Sequence, residues 1–269
     1  MTKFFDGKSI RDQILSDVKN KIDTMDRKPG LAAISVGDNL VCSKYVELKK
    51  KMADRVGINF FGYNFDVQNT QEEIVAKIRE LNTDENVDGI MVQMPIPDQF
   101  DKFEIVHAIS PEKDVDGLRF CCAFKSCFKP PVVLAILKAI EEAGKKLNGE
   151  EVVIVGRGFL VGWPLAQCLE EATTGLIVAD NTTKNLSEIT KTADIVISAV
   201  GKHDIITPEM VKEGVVLIDA GTTEVSGEIR GDIDPACYEK ASYYTPVPGG
   251  IGPVTVAMLM KNLVDSTGN

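Results

Sequence analysis

The chain is poor in the side chains that most often hold metals. It has only two histidines, His107 and His203, and neither lies near the cysteines. The six cysteines (Cys42, Cys121, Cys122, Cys127, Cys168, Cys237) form no C-x-x-C pair and no framework spacing, so reduced, mostly buried thiols are expected. The tight group CCAFKSC has no neighbouring histidine, so no metal is expected. Basic residues are outnumbered, with 30 Lys and Arg against 40 Asp and Glu, for a formal net charge of -10. That balance argues against nucleic acid and anionic membrane, both of which demand a basic surface. No run of about 18 apolar residues occurs, and MTKFFDGKSI lacks the apolar stretch of a signal peptide, so no membrane partner and a cytoplasmic location are expected. Internal repeats and low-complexity tracts are also missing.

What remains is a chain of 269 residues, 44% apolar and 26% charged, which is long enough for two domains, each with its own core. Apolar residues Ile10, Ile14, Leu15, Val18 and Ile22 recur at helical spacing. LAAISVG (31–37), INFFGYNF (58–65) and GIMVQM (89–94) read as strands separated by helical segments, so the first half is already α/β. Pro131 suits a first helical turn, and the segment that follows predicts a connecting helix ending at Gly144. EVVIVG, GLIVAD, DIVISAV and VVLIDAG are short apolar runs alternating with helix-length segments. They predict a Rossmann-type, doubly wound parallel sheet. VTVAMLMKNLV reads as a terminal helix.

The segment SKYVELKKK places four lysines in nine residues. On a helical wheel Tyr45, Val46, Leu48, Met52, Ala53 and Val56 share an apolar arc, while Lys44, Lys50 and Lys51 fall opposite. Lys49 lies inside the arc, one turn from Tyr45. Two readings stay open: the ammonium snorkels to an edge, or it lines a cleft where desolvation lowers its pKa and makes it a proton carrier. Gln93 interrupts an otherwise apolar strand, and Asp114 and Asp116 sit in a polar turn ahead of Gly117, where turn chemistry is the ordinary explanation.

VVIVGRGFLVGWP sets Gly156, Gly158 and Gly162 between a strand and a helix, in the spacing G-x-G-x-x-x-G. Backbone amides there can cradle a pyrophosphate, and Asp180, 24 residues beyond Gly156, is placed to accept ribose hydroxyls. A glycine turn with a purely structural role is the alternative.

Taken together, VGDNLVCSKYVELKKKMADRVGI, VDGIMVQMPIP, PEKDVDGL, VVIVGRGFLVGWP, TKNL, ADIVISAVG, GDID and TPVPGGIGPVTVAMLMKNL resemble the bifunctional methylenetetrahydrofolate dehydrogenase/methenyltetrahydrofolate cyclohydrolases over nearly the whole chain. The resemblance implies oxidation of 5,10-methylenetetrahydrofolate with NADP or NAD, followed by hydrolysis of the methenyl product to 10-formyltetrahydrofolate. It implies Lys49, Tyr45 and Gln93 as catalytic residues, with Tyr45 also stacking on folate. Asp116 would grip the pterin, and Gly249 and Gly250 would lie beside the substrate. Gly156, Arg157, Gly158, Gly162, Asp180, Asn181 and Thr222 would hold the cofactor. It further implies a homodimer and two domains, a folate-binding catalytic domain (1–117 and 254–269) and an NAD(P)-binding domain (118–253), with the last helix returning to the first.

A carboxylate suits the pterin because adjacent N–H donors can be accepted as a pair. Hydride departure needs mainly positioning, whereas hydrolysis needs a proton carrier, the part Lys49 fits. The sequence departs from the family pattern at KSCFKPP, at Gly158 where serine is usual, and at Asp180–Asn181–Thr182, where a basic residue is usual. A carboxylate at that strand end repels a 2′-phosphate and favours NAD, while Arg157 could attract one. Cyclohydrolase activity alone, a dehydrogenase of another small substrate and a non-catalytic sensor are the competing readings.

Overall fold

The computed structural model describes residues 3–173 and 175–268. The first half runs β1 (Lys3–Phe4), α1 (Gly7–Ile22), β2 (Gly30–Val36), α2 (Leu40–Val56), β3 (Asn59–Phe65), α3 (Gln71–Thr83), β4 (Gly89–Val92), α4 (Lys102–His107), α5 (Leu118–Cys121) and α6 (Pro131–Glu142). The second half continues with β5 (Glu151–Val155), α7 (Gly162–Leu169), β6 (Gly175–Ala179), α8 (Leu186–Thr192), β7 (Ile195–Ser198), β8 (Val216–Asp219), β9 (Thr223–Val225), β10 (Glu228–Arg230), β11 (Tyr243–Tyr244) and α9 (Ile251–Ser266).

These elements form two compact units. One comprises Asp12–Pro131 and the chain from Val256 onward, and the other comprises the chain up to Arg11 and Val132–Thr255. By packing, the chain passes from one unit to the other at 131/132, where Pro131 opens α6. The first residues group with the second unit because β1 pairs in parallel with β11, Phe5 N–H donates to Tyr244 O at 2.8 Å, and Phe5 is fully buried. Strands of two residues carry no period, so neither β1 nor β11 was readable from the sequence.

In the first unit the parallel sheet has the order β3-β2-β4. The two-residue alternation of β2 sends Leu31 and Ala33 to one side and Ala32 and Ile34 to the other. The Leu31 side is covered by Leu15 and Val18 of α1, Ala53 and Val56 of α2, and Leu259, Met260 and Leu263 of α9, so the last helix does return to this unit. The Ile34 side is covered by Ile74, Ile78 and Leu81 of α3 and by Ile105 and Val106 of α4. Helix α3 opens on a capping box: Thr70 accepts from Glu73 N–H, and Glu73 accepts from Thr70 N–H.

In the second unit six parallel strands follow the order β1-β11-β8-β7-β5-β6. Strands β5, β7 and β8 are buried along nearly their whole length, as continuous apolar runs in a parallel sheet should be. The chain leaves β5 for β6 on one side and later returns to β7 on the other, so the topological switch lies between β5 and β7. The hairpin β9–β10 turns through Ser226 and Gly227, both at positive φ.

Candidate active site

Three of the four clustered lysines are exposed and Lys49 is half-buried. The Lys49 side chain keeps 13% of its surface and that of Asp116 keeps 18%. Lys49 Nζ donates to Gln93 Oε1 at 3.1 Å and lies 3.9 Å from Asp116 Oδ2. Gln93 is anchored by the sheet: it follows β4 directly, its N–H donates to Ile34 O at 2.8 Å, and it is 9% exposed. Its Nε2 is committed to Met94 O at 2.8 Å, which leaves Oε1 facing the amine. Gln93 therefore stands at the end of an edge strand, but buried.

The arc around Lys49 is only partly covered. Ala53 and Val56 are buried, whereas Leu48 is 42% and Tyr45 43% exposed. The ring one turn before the amine is therefore exposed rather than part of the core. Cys42, further up the same helix, directs its thiol at Met94 O and Pro95 O (3.6 and 3.8 Å), tying α2 to the segment after Gln93. Burial raises its pKa, against the opposing charge of Lys49.

The turn before α5 divides its two carboxylates. Asp114 is the turn chemistry: it is fully buried and accepts Leu118 N–H at 3.0 Å and Arg119 N–H at 2.8 Å. Burial pushes it up to about 7 against those two bonds, with Asp116 adding to the rise. Arg119 locks the far side, donating to His107 O, Ile109 O and Lys125 O at 2.7–2.8 Å. Gly117 sits at φ 65°, with its Cα packed against the Lys129–Pro130 backbone. Held this way, the turn presents Asp116 to Lys49. Asp114 and Arg119 escaped the sequence reading as supports, because nothing in a lone arginine at that position shows which carbonyls it will meet.

The glycine motif lies in the second unit. Gly156 ends β5 at φ 107°, and a side chain there would lie 2.6 Å from Ala199 O. A methyl on Gly162 would overlap the carbonyl of Gly156, so the turn closes tightly before α7, whose N-terminus carries no side-chain cap. Gly158 faces open space and Trp163 N–H donates to its carbonyl at 3.0 Å. Arg157 is exposed, its guanidinium 5.2 Å from the Trp163 ring centre. At the end of β6, Asp180 Oδ1 accepts Thr182 N–H (2.9 Å) and Oγ1 (2.7 Å), which with the charge of Arg157 holds its carboxyl below the usual range. Asn181 and Thr222 are exposed. Gly249 stands at φ 110° and is half-exposed, while Gly250 is buried, with Gly7 packed against both their carbonyls.

The expected residues thus fall into two sets. Tyr45, Lys49, Gln93 and Asp116 belong to the first unit, and the glycine motif, Asp180, Asn181, Thr222, Gly249 and Gly250 to the second. The second set fits a dinucleotide: a tight glycine turn, uncapped amides and a carboxylate at the next strand end, all beside the switch point. Among the described residues no group of three or more His, Cys, Asp or Glu could hold a metal ion, and no helix is long and apolar enough to cross a membrane.

Comparison with known proteins also finds two parts, with continuous bounds that do not follow the exchange of the chain's ends between the two packed units. Residues 5–116 match the tetrahydrofolate dehydrogenase/cyclohydrolase catalytic domain, and residues 130–269 match the NAD(P)-binding domain of the same enzymes. The chain is 41% identical to the bifunctional protein FolD of Lactobacillus gasseri, across 98% of this chain and 97% of that protein. Among solved structures it is similar to the bifunctional methylenetetrahydrofolate dehydrogenase/cyclohydrolase FolD of Campylobacter jejuni, with a TM-score of 0.95 and 37% identity over 100% of this chain and 99% of that one. It is also similar to the Trypanosoma brucei enzyme complexed with NADP and an inhibitor, with a TM-score of 0.92 and 30% identity over 99% of this chain and 97% of that one.

Proposed function

The chain belongs to the tetrahydrofolate dehydrogenase/cyclohydrolase family, and on that premise we propose which of its residues carry the two reactions. Its activity is the oxidation of 5,10-methylenetetrahydrofolate to the methenyl form with a nicotinamide cofactor, followed by hydrolysis of that product to 10-formyltetrahydrofolate. The observation that carries the assignment is the Lys49 amine set 3.1 Å from Gln93 Oε1 and 3.9 Å from Asp116 Oδ2.

Asp116 accepts the paired N–H donors of the pterin, and the exposed Tyr45 ring stacks on the folate. The bound nicotinamide supplies the hydride acceptor. For that step the protein's task is orientation, because the substrate's own nitrogens stabilise the developing cation. Hydrolysis differs: water must lose a proton as it attacks the methenyl carbon, and a ring nitrogen must later gain one. Lys49, aimed by Gln93, carries that proton. Gly249 and Gly250 are the further residues assigned to substrate binding.

Gly156, Arg157, Gly158 and Gly162 would hold the cofactor, together with Asp180, Asn181 and Thr222 at the neighbouring strand ends. The Asp180 carboxylate, with no cation in the Asn181–Thr182 pair that follows, would repel a 2′-phosphate and accept ribose hydroxyls instead, so NAD is the preferred cofactor. A homodimer is assigned on the edge of β3, which among the described residues pairs only with β2 and carries half-buried Phe61, Tyr63 and Phe65. Free thiols at all six cysteines suit a reducing compartment such as the cytoplasm.

The test incubates purified protein with methylenetetrahydrofolate and NAD or NADP, following reduced cofactor and then decay of the methenyl product. Wild type should perform both steps, faster with NAD, and sediment as a dimer. Lys49→Met should lose hydrolysis by at least about 100-fold, as removal of a general acid–base does, and keep measurable hydride transfer. Equal loss of both activities in a folded variant overturns the division of labour.

A further inference from the structure

Two buried carboxylates of the second unit take no part in the chemistry above. Asp232 is fully buried, and its Oδ2 accepts Ser198 Oγ (2.8 Å) and Val200 N–H (2.7 Å), while Oδ1 accepts Lys202 N–H (2.8 Å). Asp219, 1% exposed, accepts Gly221 N–H at 3.0 Å and Ile233 N–H at 2.9 Å. The two are interlocked: a methyl on Gly221 would overlap the Asp232 carboxylate, and one on Gly231 would overlap that of Asp219. Thr245 Oγ1 accepts Asp219 N–H at 2.7 Å, closing the brace on the β11 side.

The backbone these carboxylates hold is the wall of the switch-point crevice. The Ala199–Lys202 loop follows β7, and the glycine turn follows β5, the strand on the other side of the switch. The carbonyl of Ala199 and the side chain of Val200 pack against Gly156, and Val200 keeps 41% of its surface exposed. Gly221, held by Asp219, immediately precedes Thr222.

We propose that Asp232, cross-braced by Asp219, is a positioning residue for the nicotinamide cofactor: it fixes the Ala199–Lys202 loop against the Gly156 turn and so sets cofactor affinity without touching the cofactor. This rests on the reading that the crevice binds that cofactor. Ala199 N–H still donates to Val155 O of β5 at 2.8 Å, but the Val200 and Lys202 amides beyond it turn to Asp232, whose carboxylate anchors the loop by accepting them together with Ser198 Oγ. Burial, with the charge of Asp232 adding to it, raises Asp219 to about 7, so the brace holds acidic groups where the unfolded chain would leave them in water.

The experiment measures NAD and NADP dissociation constants by titration calorimetry, together with both activities, for wild type, Asp232→Asn and Ser198→Ala. The amide of Asp232→Asn keeps the shape but turns a donor toward a backbone N–H. Cofactor binding should weaken at least tenfold, the dehydrogenase KM for cofactor should rise in step, kcat at saturating cofactor should stay within about twofold, and methenyl hydrolysis should be unchanged. Ser198→Ala removes one donor and should weaken cofactor binding about threefold. If Asp232→Asn fails to fold, Ser198→Ala decides the matter. Cofactor affinity within experimental error of wild type in the folded variant overturns the proposal, as does a kcat loss with unchanged affinity. A wild type that binds neither cofactor overturns the underlying reading instead.

Discussion

A single residue, Val115, separates Asp114 from Asp116, yet the first is sealed beneath the turn and the second faces Lys49. No property of an aspartate in isolation assigns those parts; they follow from Gly117 turning the chain at positive φ and from Leu118 and Arg119 aiming their amides back at Asp114. The groups around Asp114 are the carboxylate of Asp116, the guanidinium of Arg119 and the Ser126 hydroxyl. With its pKa raised to about 7 by burial, the folded protein keeps a proton there that the unfolded chain, at about 3.9, releases. This contribution to stability is complete below about pH 4 and is lost as pH rises through about 7, at up to about 1.4 kcal/mol per pH unit. Asp114→Asn should therefore flatten the fall in unfolding free energy between pH 5 and 7, read by urea titration at several pH values. An unchanged slope would show that Asp114 is not the group releasing that proton. The lysine was legible at this scale: a wheel alone separated Lys49 from its three neighbours. What the wheel missed was the exposure of Tyr45 and Leu48, since it reports a face and not what covers it.

Elements of ordinary length were readable within two or three residues, because α1, α6, β2, β5, β7 and β8 each carry enough of their pattern to show it. Strands β1 and β11, the β9–β10 hairpin, and the short helices α4 and α5 were not, being too brief to repeat. The glycine turn ahead of α7 sits at an element boundary. Gly162 admits no side chain, because its Cα rests on the carbonyl of Gly156, whereas Gly158 faces open space. Gly162→Ala should displace α7 from β5 and weaken cofactor binding at least tenfold while sparing methenyl hydrolysis. Gly158→Ser should bind cofactor as wild type does, within about threefold. Fluorescence titration with the reduced cofactor separates the two. If Gly162→Ala bound normally, the turn would not be the cradle.

At the scale of the whole molecule, the chain's last helix supports a turn nearly 150 residues earlier. Asn262 Nδ2 donates to Val115 O (2.9 Å) and Lys129 O (3.1 Å), on either side of the Asp116 turn and α5, and a methyl on Gly89 would press on both Leu263 and Val115. Leu263 is fully buried, so Leu263→Ala should cost about 2–5 kcal/mol and inactivate hydrolysis at lower temperature than wild type. Chemical denaturation should show a correspondingly lower midpoint, and a shift below about 0.5 kcal/mol would refute the packing. By itself, the sequence determined what depends on neighbours along the chain: the apolar periods, the glycine turn after a strand, an inward lysine, and a shortage of basic residues and histidines that bounded the ligand classes. Only the tertiary structure decided which carboxylate faces the amine, that Gln93 presents its oxygen, that the first residues pair with β11, and that Asp219 and Asp232 brace one crevice. Those outcomes rest on contacts between residues tens to hundreds of positions apart, and local pattern cannot encode which buried donor will meet which acceptor once the layers close.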